Sequence, residues 1–157
     1  MLKLEPHKQK YDFSCGPACL KMALEYYGIF KPEDYLIKLS GCSKVLGIKA
    51  SKLLKAAKKL GLDGFIKDNS NIKDVRVNLD KNKIVIVEWF YEDDSHFSIV
   101  RKIEENRIYL YDTYTGKILV KDINIFKRIW FNFDIALIKK KSDVGFRRML
   151  VLYKDQK

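Results

Sequence analysis

The sequence has little of what membrane proteins and nucleotide-driven enzymes require. Its longest apolar runs, such as residues 84–87, fall far short of the ~20 residues that a membrane-spanning helix needs. No Gly-x-x-x-x-Gly-Lys-Ser/Thr phosphate-binding loop occurs, and the first ten residues contain no apolar segment of the kind found in secretion signals. The chain by itself is therefore predicted to be neither a transporter nor an ATPase, and to have no membrane span.

Cysteine is also scarce, with three residues in a chain of 157. An odd number without a secretion signal favours reduced thiols and a cytoplasmic location over a disulfide framework. No C-x-x-C pair is present, and Cys15 and Cys19 lie on one predicted helix without a second pair of ligands. No metal site is therefore expected. Cys19 and Cys42 are predicted to be core thiols.

The net charge of +11 comes mainly from lysine, with 25 residues scattered along the chain against 6 arginines. Lysine distributed in this way is typical of a solvated surface. No sequence signature of RNA or DNA binding is present. Nucleic acid is therefore not expected as a partner, and the sequence does not determine the oligomeric state.

The hydrophobic periodicity divides the chain near residue 80 into a helical half and a strand half. Glycines at 28, 41 and 61 mark predicted helix ends. Helices are expected over 14–28, 32–39, 49–60 and 122–130, and strands over 62–67, 83–90, 96–103, 107–112, 117–120 and 133–139. The state of residues 71–77 is left open. Helices followed by an antiparallel sheet predict an α+β domain, placed in residues 1–140, with 141–157 as a basic C-terminal extension of unknown state.

Cys15 stands where a thiol can act as a nucleophile. It opens the first predicted helix within S-C-G-P, where the helix dipole and unpaired N–H groups favour the thiolate. Gly16 beside it leaves room for a substrate backbone. The chain has only two histidines that can act as its base, His7 in the N-terminal arm and His96 at the start of a strand. Without such a partner, a cysteine on a helix is more often a small core residue.

The strand register decides whether Asp112 can orient His96. If Ile103 faces Arg107 across a three-residue loop, Ser98 faces Asp112. His96 then lies on the same face as Asp112, one diagonal step away. A loop of a different length puts the two side chains on opposite faces. Asp112 has an alternative role as the start of an Asx turn, and the two roles are compatible.

Four segments carry motifs in a characteristic order. They are Q-K-Y-D-F-S-C-G-P-A-C-L-K-M-A-L-E-Y-Y-G, a helix over 47–62 that ends in L-G-L, S-H-F-S-I-V-R-K-I, and Y-L-Y-D-T-Y-T-G-K-I. From residue 5 to about 138, the chain resembles the peptidase domains that process bacteriocin and quorum-peptide precursors at double-glycine leaders. The resemblance implies a papain-like cysteine peptidase fold and a thiol peptidase that needs no cofactor. It also implies Cys15 as nucleophile, His96 as base, Asp112 as orienting residue and Gln9 as oxyanion donor.

The chain departs from this family at three points. Ser14 stands where the family usually has aspartate, although Asp12 is near, and Thr113 replaces the proline of the family's D-P turn. The transporter to which exporting members are usually fused is not expected here. The resemblance is therefore to free-standing members, and cleavage at a double glycine is an expectation for the fold only.

The sequence leaves three functions open for such a site. The first is hydrolysis of a peptide or leader peptide, the second is transfer of the acyl group to an amine, and the third is peptide binding without turnover. A binding module is expected to have lost a triad residue, which this chain has not. Gly16, Trp89 and Phe97 are the candidate substrate-binding residues, although a core role is as well supported for the two aromatics. The positive surface favours peptides with acidic leaders.

Overall fold

Helices cover both faces of a six-stranded antiparallel sheet in the computed structural model, which describes residues 2–156. The helices are α1 (Cys15–Tyr26), α2 (Glu33–Ser40), α3 (Ala50–Lys59), α4 (Ile72–Asp80) and α5 (Ile123–Ile129). The strands are β1 (Asp63–Lys67), β2 (Ile84–Tyr91), β3 (Asp94–Glu104), β4 (Arg107–Asp112), β5 (Lys117–Asp122), β6 (Phe131–Phe133), β7 (Val144–Phe146) and β8 (Arg148–Tyr153). The predicted α+β class is confirmed, with the N-terminal helices packed on a largely C-terminal sheet.

The sheet divides the apolar interior into two clusters. Its strand order is β1-β8-β2-β3-β4-β5. Alternate residues of β2 point to opposite faces of the sheet. Ile84 and Ile86 pack in the cluster beneath α1, α2 and α3, and Val85 and Val87 pack in the cluster beneath α4 and α5. A strand that is buried on both faces reads as a continuous apolar run, as residues 84–87 do.

The helix ends follow local sequence signals. Gly28, Gly41 and Gly61 have φ values of 79°, 73° and 92°, as a residue just past a helix end requires. The Asp122 side chain accepts hydrogen bonds from the first turn of α5, as predicted. Residues 71–77, which the periodicity left open, begin α4 through a capping box in which Asn71 and Asp74 bond reciprocally.

The C-terminal segment, whose state the sequence left open, supplies an inner strand of the sheet. β8 lies between β1 and β2 and pairs with both. Its residues Met149 to Leu152 are buried. The sheet is therefore continuous across the boundary placed at residue 140.

The strand predicted over residues 133–139 is wrong. β6 ends at Phe133, and it pairs only with the short β7. The apolar residues Ile135, Leu137 and Ile138 are exposed. Their pattern resembles a strand, but no strand within residues 2–156 pairs with residues 134–139, and the segment runs along the surface instead.

The β3–β4 hairpin combines a shorter turn with a β-bulge. Glu104 pairs with Arg107, so the loop has two residues rather than three. The register then shifts between Val100 and Lys102, which leaves Arg101 as an extra residue opposite β4. Because the bulge compensates for the shorter loop, the pairs beyond it match the predicted register.

The inner position of β8 predicts that Leu150 contributes to global stability. Leu150 is 1% exposed, so Leu150→Ala is expected to lower the free energy of unfolding by about 2–5 kcal/mol in urea titrations. Val120→Ala, at a side chain that is 44% exposed, is the control and should cost less than about 1 kcal/mol. An equally small loss for Leu150→Ala would contradict the sheet order.

Candidate active site

Cys15 lies in a surface cleft at the N-terminus of α1. The cleft has a volume of about 500 Å³ and lies between the loop of residues 44–48 and the segment of residues 133–136. The thiol is only 9% exposed. The Cys15 backbone N–H begins the helix and has no backbone acceptor among residues 2–156. The start of α1 therefore offers a thiol and a free donor to a bound group.

Burial sets the protonation state of this thiol. Burial raises the pKa of Cys15 to about 12, and the nearby negative charge of Glu88 acts in the same direction. The backbone groups of Phe97 and Gly16 lower the pKa by less. The effect of burial on the pKa therefore exceeds the effect of the helix dipole, and Cys15 is a neutral thiol at pH 7 in the free protein.

His96 and Asp112 form a buried pair beside the cleft. His96 Nε2 lies 3.2 Å from Asp112 Oδ1, and both side chains are almost fully buried. Because a carboxylate accepts, Nε2 must donate, and Nδ1 of the neutral ring carries the free lone pair. His96 Nδ1 is buried and has no hydrogen-bond partner. An unpaired buried nitrogen is costly, so its retention points to a role in chemistry.

Asp112 is held by the turn that follows it. Its two carboxylate oxygens accept from the Tyr114 backbone N–H and from the Thr115 N–H and hydroxyl. Burial acts to raise the pKa of Asp112, but the hydrogen bonds from His96, Thr115 and Tyr114 outweigh it and lower the pKa. Asp112 therefore serves the Asx turn and the histidine at once.

Aromatic rings shield the His96–Asp112 hydrogen bond from water. Tyr114 stacks on the imidazole with centroids 4.1 Å apart and planes 7° from parallel. Trp89 and Tyr91 contact the same ring from β2. Burial lowers the pKa of His96, and Asp112 offsets part of that effect. Sequence reasoning missed Tyr114, whose contact with His96 depends on the path of the turn after β4.

Gln9 joins the N-terminal arm to the Asp112 turn. Its backbone N–H donates to Thr113 O at 2.7 Å, and its side-chain oxygen accepts from the Thr113 hydroxyl at 2.7 Å. The Gln9 amide donates to the carbonyls of Tyr11 and Asp12. Both amide N–H groups are therefore occupied in the free protein, and an oxyanion role requires that one of these bonds be exchanged.

Glu33 fixes the loop that presents Cys15, and sequence reasoning missed it. Its buried carboxylate accepts from the Lys10 N–H, from the Ser14 hydroxyl at 2.7 Å and from His7 Nε2 at 2.9 Å. Ser14 thus joins this network through its hydroxyl. His7 is bonded to Glu33. Neither His7 nor His96 lines the cleft, but Ser95, Phe97 and Tyr114, which adjoin or contact His96, do. No local signal identifies Glu33, because its partners lie 19 to 26 residues earlier.

The three residues predicted to bind substrate have different positions. Phe97 lines the cleft, whereas Gly16 and Trp89 do not. A Cβ on Gly16 would lie 2.4 Å from Ile48 Cγ2, so this glycine allows α1 to pack against the loop below it. Trp89 is buried in the cluster of α4 and α5, where its indole N–H donates to Ser98.

The site contains a cysteine thiol in a cleft and a buried histidine whose one nitrogen is free and whose other nitrogen is bound to a carboxylate. These are the groups of a thiol hydrolase that works without a metal. Among residues 2–156, no three His, Cys, Asp or Glu side chains form a cluster that could hold a metal ion. Fold and site together define a cysteine peptidase.

The chain belongs to the Peptidase C39 family, whose sequence profile matches residues 3–143. An uncharacterized protein of Methanothermobacter thermautotrophicus is 31% identical over 135 residues, which cover 86% of this chain and 88% of that protein. The lactococcin-G-processing and transport ATP-binding protein LagD of Lactococcus lactis is 30% identical over 124 residues. That match covers 78% of this chain but 17% of LagD.

Solved peptidase domains share the fold. The peptidase domain of Streptococcus ComA, a bifunctional ABC transporter of a quorum-sensing pathway, has a TM-score of 0.70 at 21% identity, over 99% of this chain and 100% of that one. A double glycine motif protease from an AMS/PCAT transporter, solved in complex with the leader peptide, has a TM-score of 0.68 at 21% identity, over 96% and 91%. The predicted peptidase fold is confirmed. No helix in residues 2–156 is long and apolar enough to cross a membrane.

The raised pKa of Cys15 predicts how the thiol reacts in the absence of substrate. Alkylation by iodoacetamide follows the thiolate fraction, so the rate at Cys15 should rise about tenfold per pH unit from pH 6 to 10 without a plateau. Peptide mass spectrometry measures each cysteine separately. In urea-unfolded protein, the control, all three cysteines should level off above about pH 8.5. A plateau for native Cys15 below pH 8 would mean that a thiolate–imidazolium pair exists instead.

Proposed function

We propose that the chain hydrolyses a peptide bond in a peptide or leader-peptide substrate, with Cys15, His96 and Asp112 acting as a triad. The observation that carries the proposal is the free Nδ1 of His96, whose other nitrogen is bound to Asp112. Family membership and the processing role in the name of LagD support a peptide precursor as substrate. The cytoplasmic location predicted from the cysteine count remains a prediction.

The reaction starts from a neutral thiol and a neutral imidazole. His96 Nδ1 takes the thiol proton as Cys15 Sγ attacks the peptide carbonyl, and Asp112 stabilises the imidazolium that forms. The protonated His96 then gives its proton to the leaving amine, and the C–N bond breaks to leave a thioester. Water attacks the thioester with His96 again acting as base, which releases the carboxylate product and the thiol.

The oxyanion needs donors at the start of α1. The Cys15 backbone N–H is free in the resting protein and is the first donor. Gln9 is the second, once substrate binding displaces one of its two carbonyl partners. The retained triad favours turnover over peptide binding alone, and no feature of the described residues favours an amine over water as acceptor.

Triad substitutions test this proposal by their effect on turnover. A proteome-derived peptide library, with cleavage sites read by mass spectrometry, is expected to be cut by the native protein. Cys15→Ala should abolish cutting, and His96→Ala and Asp112→Asn should each lower the rate by about 10²- to 10⁴-fold. Cys42→Ser is the control and should retain the native rate. Cutting that survives in Cys15→Ala would exclude the proposed nucleophile.

The pH profile tests the neutral starting state. Because burial lowers the pKa of His96, kcat/KM should fall only below pH 6.5. Because burial raises the pKa of Cys15, kcat/KM should stay constant from pH 7 to 10. The Asp112 carboxylate raises the pKa of His96, so in Asp112→Asn the acid limb should move to still lower pH. The measurement is kcat/KM from pH 4 to 10 on one resynthesised library peptide that contains no lysine or arginine. A limb that moves to higher pH in Asp112→Asn would contradict the His–Asp interaction.

A further inference from the structure

The cleft carries the opposite charge to the rest of the molecule. Five carboxylate residues line it, against a single lysine, Lys44, although the chain as a whole has a net charge of +11. The five are Asp12, Glu88, Asp93, Asp94 and Asp134. The acidic leader expected from the positive surface would therefore meet repulsion at the reaction centre. A cleft lined by one sign of charge instead attracts the opposite sign.

Glu88 is the buried member of this group and lies beside the nucleophile. It projects from β2 between Val87 and Trp89, on the face that α1 covers, and its side chain is 2% exposed. Its charge acts on Cys15 directly. One carboxylate oxygen is 3.4 Å from Arg148 Nη1, and the other has no hydrogen-bond partner among residues 2–156. This oxygen is open to the cleft and is not among the buried polar atoms without a partner, so it can accept from water or from a ligand.

Arg148 shares its positive charge between Glu88 and two other carboxyl groups. The guanidinium makes two short hydrogen bonds to Asp68, at 2.7 and 3.1 Å, and lies 3.7 Å from Asp134. One guanidinium therefore faces three carboxyl groups, and its contact with Glu88 is longer than those with Asp68. A second cation at Glu88 and Asp134 would complete the cluster.

We propose that Glu88 and Asp134 form a subsite beside Cys15 that binds a lysine or arginine side chain of the peptide substrate next to the scissile bond. The inference rests on the proposed peptidase function and names the substrate class for the same site. A cationic side chain would donate to the free Glu88 oxygen, while the apolar rim provided by Leu46 and Ile135 contacts its aliphatic stem. This preference distinguishes the chain from a peptidase that reads only small residues.

The protonation of Glu88 gives the subsite a pH dependence. Burial and the charge of Asp134 raise the pKa of Glu88 to about 8, while Arg148 lowers it and Asp68 raises it further. A bound cation favours the carboxylate, so binding of a cationic side chain should tighten as the pH rises from 6 to 9. The neighbouring Cys15 stays neutral over this range. A carboxylate with a purely structural role would give no such dependence on a ligand.

Peptide binding tests the subsite without requiring turnover. The full-length Cys15→Ser protein is immobilised and incubated with a random heptapeptide library, and the retained peptides are sequenced by mass spectrometry. Lysine and arginine should be enriched roughly 10- to 100-fold at one position. Adding Glu88→Gln, which matches the protonated carboxyl in shape, should abolish the enrichment, and Asp134→Asn should reduce it. Adding Glu92→Gln removes an exposed charge outside the cleft and should leave the enrichment unchanged.

A matched peptide pair completes the test. The best retained peptide and its analogue with norleucine in place of lysine are titrated by fluorescence anisotropy from pH 6 to 9. Only the lysine peptide should bind more tightly with rising pH, and this trend should vanish in Glu88→Gln. No enrichment, equal enrichment in Glu88→Gln, or no retained peptide would each overturn the subsite. Retained basic peptides that the native protein fails to cut would count against hydrolysis and leave the subsite standing.

Discussion

One extra residue in β3, at Arg101, determines whether the side chains of His96 and Asp112 lie on the same face of the sheet. Without the bulge, the two-residue loop of the β3–β4 hairpin would set Ile99 opposite Asp112 and send His96 to the other face of the sheet. The N-terminal arm holds the bulge, because the Leu2 N–H donates to Arg101 O at 3.0 Å. The same arm continues to Gln9, which bonds the Asp112 turn, and so connects the strands of the site to the helix that carries Cys15.

Burial is the second determinant of the chemistry. Burial raises the pKa of Cys15 and lowers that of His96, so in the proposed reaction the proton moves from thiol to imidazole only when Cys15 attacks the carbonyl. The aromatic rings around His96 preserve its hydrogen bond to Asp112 by excluding water. The same burial leaves Glu88 with a free oxygen in the cleft, so one physical effect controls both reactivity and the charge preference proposed for the substrate.

Much of the fold could be predicted from local signals, and the rest depends on contacts between distant residues. Glycines marked the helix ends, and Asp122 marked the start of α5. The predicted pairing of β3 with β4 is correct near His96 only because two differences cancel. The loop is one residue shorter than assumed, and β3 contains a one-residue bulge that the sequence did not predict. The inner position of β8 and the role of Glu33 could not be predicted, because their partners lie far away along the chain.

In the proposed reaction, His96 bonds Asp112 through Nε2–H and offers an unprotonated Nδ1 to Cys15. Long-range proton–nitrogen NMR correlation of the imidazole rings measures this tautomer directly, and a His7→Gln variant assigns the two histidines. We expect a protonated Nε2 and an unprotonated Nδ1 for His96 at pH 7, and we expect Nδ1 to gain its proton at a lower pH than the ring of a free histidine does. A proton on Nδ1 at pH 7 would leave no base for the thiol and would contradict the account.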